Sequence, residues 1–198
     1  VEIIVINDNS TDNTKEYLET ISSLKVINNV KNLGFLKNIN KGINAANGDY
    51  ILLLNNDVIV LPNLLDELFS IFKNKKNVGA VGAKAIHPTG VTLEAGSKIF
   101  SNGEVVNIGR LSSPENPHYN HVKKVNYCSG YCLLLKRRFP NNELVQLDET
   151  FLPAYYEETD LCMQLKYNYN LNIYYQPFAK LIHFESISYG DEKNNIKQ

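Results

Sequence analysis

The chain has 198 residues, with 20 basic against 21 acidic side chains and a formal charge of −1, which suits one domain and excludes the basic surface of a dedicated nucleic-acid binder or polybasic membrane anchor. Its 43% hydrophobic and 21% charged residues exclude a disordered chain, and no apolar run approaches the ~20 residues that span a bilayer. Three cysteines (Cys128, Cys132, Cys162) are too few for a disulfide scaffold, and Val1 opens no basic-then-apolar leader, so a soluble cytoplasmic chain is expected.

Residues 1–6 are apolar and β-branched and break into Asn7-Asp8-Asn9-Ser10, which reads as a buried strand entering a loop. Ser10 or Thr11 is placed to cap a helix to about Ile21, with Tyr17, Leu18 and Ile21 on one face. A short strand over 25–28 precedes a helix over 35–46, ended by Asn47-Gly48. Residues 49–54 form the clearest strand, stopping abruptly at Asn55-Asn56-Asp57. Pro62 opens a helix to about Asn74, with Leu64, Leu65, Leu68 and Phe72 at helical spacing, and 78–86 is a further strand. This alternation predicts an α/β domain with a mainly parallel sheet. Residues 96–117 lack periodicity and read as hairpin and loop. Residues 125–136 are strand-like, 158–168 helical, and 173–175 and 179–182 closing strands. The polar end, 191–198, is expected to fray.

In open α/β sheets ligands bind at the carboxyl ends of strands. Two polar clusters fall there, residues 7–12 and Asn55-Asn56-Asp57. The first alone is explained by a loop with a helix cap. The second places two amides and a carboxylate where an apolar strand ends, and a carboxylate there suits a hard divalent cation holding a diphosphate. A third cluster, Tyr155-Tyr156-Glu157-Glu158-Thr159-Asp160, holds three acids in four residues. Acids in a first helical turn stabilise the helix dipole by ~0.3–1 kcal/mol each, which accounts for at least one of them, most naturally Asp160. His183 follows the closing strand, where a lone histidine is more often structural than a ligand. Cys128 and Cys132, four apart on one strand-like segment, read as small core residues on one face, and Cys162 reads likewise. His118 and His121 lack neighbouring ligands for a metal.

Taken in order, these blocks resemble the family 2 glycosyltransferases with the GT-A fold, of bacterial polysaccharide type, over nearly the whole chain. The blocks that carry the resemblance are Ile6-Asn7-Asp8-Asn9-Ser10-Thr11-Asp12-Asn13-Thr14; Asn32-Leu33-Gly34-Phe35 with Asn40-Lys41-Gly42; Leu54-Asn55-Asn56-Asp57; Leu93-Glu94-Ala95-Gly96; Gly109-Arg110; Tyr127-Cys128-Ser129-Gly130; and residues 153–162. The resemblance implies a Rossmann-like, mainly parallel sheet flanked by helices, with a smaller mixed or antiparallel acceptor-side portion. It implies one domain over 1–198, with a nucleotide-binding half at about 1–86 and an acceptor and catalytic half at about 87–190. Family members begin with an earlier strand and helix, so the expectation is a sheet with an open position beside the first strand.

By the same resemblance Asp8 accepts a hydrogen bond from the donor's base, while Asn55 and Asn56 lie near ribose and diphosphate. Asn32 and Lys37 reach the nucleotide. Asp57, with His183, holds Mg²⁺ or Mn²⁺ on the diphosphate. Glu158 stands where the family carries its catalytic Asp and is the expected general base for inverting transfer, with Asp160 and Glu157 as substitutes. Two positions depart from the pattern: Glu158 is one methylene longer than the usual Asp, and Asn55 replaces the first carboxylate of the Asp-x-Asp motif. The implied partners are a nucleotide-diphosphate sugar and a glycan or lipid-linked acceptor, at the inner face of a membrane and in a larger multidomain synthase. Two rivals remain at this level. One is a non-catalytic nucleotide- or glycan-binding domain; the other is a sugar-phosphate nucleotidyltransferase, which needs a Gly-rich, basic phosphate loop that is not visible here.

Overall fold

The computed structural model describes residues 1–153 and 155–185. Ala154 and the polar end at 191–198 lie outside the described residues. The chain begins with β1 (Ile3–Asn7), α1 (Thr14–Glu19), β2 (Leu24–Asn28), α2 (Phe35–Ala45) and β3 (Tyr50–Leu54). It continues through β4 (Val58–Val60), α3 (Leu64–Asn74), β5 (Val78–Ile86), β6 (Thr92–Glu94), β7 (Ser97–Ile99) and β8 (Val105–Asn107). The last elements are β9 (Lys123–Val125), β10 (Cys132–Lys136), α4 (Glu157–Tyr167) and β11 (Asn172–His183).

The main sheet has the order β3-β10-β5-β11-β4, with β6 added on β5 and β9 on β11. β5 and β11 pair in parallel, and β10 runs antiparallel to both β3 and β5. β3, β5 and β11 therefore point the same way and end at one edge. β1 and β2 form a separate parallel pair in register Ile3 to Leu24 through Asn7 to Asn28. Among the described residues β1 pairs only with β2 and β3 only with β10, so each keeps one unpaired edge.

Helices cover the sheet because their apolar residues recur at helical spacing. α3 buries Leu64, Leu68 and Ile71, and α2 buries Leu36 and Ile43. Each such side chain contributes ~1.5–3 kcal/mol relative to exposure. The core forms two layers, one around Leu36, Leu133, Leu135, Leu161 and Tyr175, the other around Leu68, Val81, Leu134 and Leu181. The alternating sides of β10 supply both. Asn40 ties α2 to the second half of the chain, its amide donating to the Leu147 carbonyl at 2.8 Å and its oxygen accepting the Leu147 N–H at 2.7 Å.

Several elements differ from expectation for local reasons. α1 begins at Thr14 rather than at a Ser10 or Thr11 cap. Asn7 Oδ1 accepts the Ser10 N–H, Asp12 Oδ1 accepts the Thr14 N–H, and Asn9 takes a positive φ of 61°, so residues 8–13 form side-chain-supported turns. The 125–136 segment is two strands, β9 and β10, with a turn between them. Cys128 and Cys132 consequently lie in different core layers, not on one face. The two closing strands are a single β11, kinked between Gln176 and Lys180, around Pro177.

Cys128 fills its layer against β5. A Cβ on Gly82 would lie 2.2 Å from Cys128 Cβ and 2.5 Å from its Sγ, and no rotamer relieves the first of these contacts. Gly82→Ala is therefore expected to lose ~3 kcal/mol of stability, the upper end of the usual cost of overpacking, read as a fall in the urea midpoint, whereas a double Gly82→Ala, Cys128→Gly variant should recover part of it.

Candidate active site

The strand ends converge because β3 does not turn back on itself. After Leu54 the chain crosses the strand ends in three residues and re-enters the sheet as β4 on β11. The Asn55 N–H donates to the Tyr131 carbonyl at 3.0 Å on the way, and Val58 pairs with His183. The Phe184 N–H then donates to the Asp57 carbonyl at 3.0 Å. This pairing brings Asp57 Oδ1 to 3.3 Å from His183 Nε2, with both side chains mostly buried. Asp57 Oδ1 is shielded from solvent yet accepts no hydrogen bond. A buried carboxylate oxygen facing an imidazole nitrogen is a pair of donors that a divalent cation can share. Among the described residues no group of three or more His, Cys, Asp or Glu surrounds a metal position, and His118 and His121 are both exposed.

α4 presents the acids. Tyr156, at φ 71°, precedes it, and Glu157, Glu158 and Asp160 occupy its first turn. Asp160 accepts from the Gln164 amide at 2.6 Å and belongs to the helix. Glu157 is buried, with Oε2 unpartnered, and burial raises its carboxyl. Glu158 is half-buried, and loss of water pushes its carboxyl up to about 7, with the Glu157 and Glu94 charges adding to the rise. Gly130 faces it: a Cβ there would lie 3.5 Å from Glu158 Cβ and 3.7 Å from the Phe35 ring.

Phe35 begins α2, which connects this edge to the Asp8 loop. Asp8 Oδ1 accepts from the Asn29 amide and the Leu33 N–H at 2.8 Å each, and Oδ2 accepts the Gly34 N–H at 2.9 Å. Burial works against the Asp8 charge, but these bonds outweigh it and hold the carboxyl below its usual range. Asn29 also donates to Asn38 at 2.7 Å and accepts from Lys41, so the loop is tied down by side chains from β2's end and α2. Asn32 and Asn56 are exposed, Asn55 is half-buried, and Lys37 lies 4.0 Å from Glu149. Arg110 spends its guanidinium on Glu185, with two bonds of 2.9 Å.

Residues 1–139 match the family described as "Glycosyl transferase family 2". The chain belongs to glycosyl transferase family 2. An "uncharacterized glycosyltransferase" of Haemophilus influenzae is 37% identical over 87 residues, 42% of this chain and 27% of that protein. GalNAc-T7, solved with UDP, GalNAc and Mn²⁺, superposes with a TM-score of 0.72 at 16% identity, over 92% of this chain and 37% of the other. A mannosyltransferase from Pyrobaculum calidifontis, in complex with GDP-Man and Mn²⁺, gives 0.64 at 13%, over 94% and 48%. The fold is thus that of the GT-A glycosyltransferases, an α/β sheet flanked by helices. The family 2 chain spans about a quarter of the length of the curated relatives it matches. No helix among its described residues is long and apolar enough to cross a membrane.

Sequence reasoning did not single out Glu94 or Tyr131 as members of this site. Glu94 is 1% exposed, at the end of β6, and accepts from the Ser129 N–H at 3.2 Å and the Ser129 hydroxyl at 2.5 Å. The Tyr131 ring lies 4.8 Å from that of His183. The available signal for Glu94 was an acid between Leu93 and Ala95 in an apolar stretch.

Proposed function

We propose that this family 2 domain binds a nucleotide-diphosphate sugar and transfers the sugar, with inversion, to a hydroxyl of a glycan or lipid-linked acceptor. The observation that carries the reading is the opposition of two unlike chemistries at one sheet edge: the Asp57–His183 pair, 3.3 Å apart, and the desolvated Glu158 of α4. Asp57 and His183 are the residues that would hold Mg²⁺ or Mn²⁺ beside the diphosphate. When bound, the cation supplies charge neutralisation and Lewis acidity toward the leaving diphosphate.

The chain's own residues do the rest. The Asp8 loop, clamped at Leu33 and Gly34, shapes the base pocket, and Oδ2 keeps an acceptor position for a base N–H. Asn55 and Asn56 hydrogen-bond the ribose and diphosphate. Glu158 removes the proton from the acceptor hydroxyl as its oxygen bonds to the anomeric carbon. The bond from that carbon to the diphosphate oxygen breaks on the opposite face, and the nucleoside diphosphate departs with the electron pair. A carboxyl at about 7 is matched to proton transfer at neutral pH.

Thermal shift and donor turnover with UDP-, dTDP- and GDP-sugars, with and without Mn²⁺, test the reading on wild type, Asp57→Ala and Glu158→Ala. The expected result is a metal-dependent shift with at least one nucleotide and turnover that both substitutions reduce. A shift without turnover for any donor and acceptor would favour a binding domain within a larger synthase. No nucleotide-dependent shift at all would overturn the proposal.

A further inference from the structure

The turn Ser129-Gly130-Tyr131, between β9 and β10, reaches both the Glu158 side and the His183 side of the site. Gly130 packs on Glu158 and Phe35. The Tyr131 carbonyl receives the Asn55 N–H at 3.0 Å, and the Tyr131 ring packs on His183, at an interplanar angle of 35°. The base side and the cation side are therefore registered through three consecutive residues. What holds those residues is Glu94, whose two carboxyl oxygens take the backbone and the hydroxyl of Ser129.

We propose that Glu94 is a positioning residue of this site: by clamping Ser129 it fixes the turn that sets Glu158 against Asp57 and His183. The proposal rests on the transferase reading and names a residue outside it. Glu94 does not reach substrate, since it is buried behind the turn at 1% exposure.

The environment shows why a carboxyl can serve there. The groups that feel its charge are Tyr127, Cys128 and Tyr131 on the connecting segment, Glu158 and Cys162 on α4, and Tyr175 on β11. None of these is a cation, and burial raises the Glu94 carboxyl, partly offset by the Ser129 bonds. Burial without a neighbouring cation disfavours its charged form.

Three variants test this: Glu94→Ala, Ser129→Ala and Glu94→Gln, whose amide can still accept from the Ser129 N–H and bond its hydroxyl. Each is assayed for kcat and donor KM, and its His183 ring resonance is followed by NMR, where the Tyr131 ring current reports the turn. Glu94→Ala and Ser129→Ala are expected to lower kcat by ~10–100-fold, with donor KM within ~3-fold, and to move the His183 resonance. Glu94→Gln is expected to rescue kcat to within ~3-fold, with the resonance as in wild type. If Glu94→Ala fails to fold, Ser129→Ala carries the same expectation. An unchanged kcat and His183 resonance in both clamp-deleted variants would overturn the proposal. So would a Glu94→Gln variant as impaired as Glu94→Ala. If wild type transfers no sugar, the transferase reading fails while the resonance still decides the clamp.

Discussion

Glu158→Gln is expected to reduce kcat for glycosyl transfer by ~10³-fold while leaving donor KM nearly unchanged. The amide keeps the shape of the side chain and its contact with Gly130, but has no basic lone pair for the acceptor proton, and general bases contribute ~10²–10⁴-fold. The pH profile identifies the mechanism. Burial first, and the Glu157 and Glu94 charges second, push the Glu158 carboxyl from 4.5 up to about 7. The base works ionised, so kcat/KM of wild type should rise about tenfold per pH unit below pH ~7 and level above it. The variant should lack that limb. Stability moves in the opposite sense. Because the folded carboxyl holds its proton more tightly than the unfolded one, the stabilisation it provides is complete below pH 4.5 and lost as pH rises through about 7. Glu158→Gln, which never ionises, should be more stable than wild type at pH 8, by ~2–3 kcal/mol, and closer to it at pH 4. Urea midpoints at the two pH values measure the difference.

The outcome shows what local sequence can and cannot carry. Tyr50–Leu54 was legible as a strand because five apolar residues stop at three polar ones, and the same contrast flagged Asp57. The helices over 35–45 and 64–74 were legible from spacing, since their buried residues recur every three or four positions. β4 was not, being three residues long with Ile59 and Val60 exposed, so its only support is its pairing with β11 far along the chain. That pairing also places His183 beside Asp57, which explains why a lone histidine after a strand looked structural. The β9–β10 turn was hidden by the apolar residues on both sides of Ser129-Gly130. Asp8 was visible as a polar residue at a strand end, but its bonds to Leu33 and Gly34 span 25 and 26 positions, beyond any local pattern. Glu94 stands 35 residues from Ser129, and only the fold joins them. Composition marked candidate positions; long-range pairing assigned their neighbours.

Asp57→Ala is expected to abolish the Mn²⁺-dependent thermal shift with a nucleoside diphosphate and to lower transfer by ~10³-fold or more. The effect should be complete rather than graded, because Asn55 and Asn56 precede Asp57 and the crossing from β3 to β4 offers only one carboxylate. His183 alone, an imidazole without an anionic partner, is a poor host for a hard cation. Loss of folding is separable from loss of binding. Asp57 Oδ1 accepts no hydrogen bond, and the crossing is held by backbone bonds from Asn55 to Tyr131 and from Phe184 to Asp57, which the substitution leaves in place. The metal-free variant should therefore melt within a few degrees of metal-free wild type. Chelation of wild type should reproduce the variant's nucleotide behaviour, and added Mn²⁺ should restore wild type but not Asp57→Ala. A variant that still gives the full Mn²⁺-dependent shift would move the cation away from this pair, because no second carboxylate on the crossing could take over from Asp57.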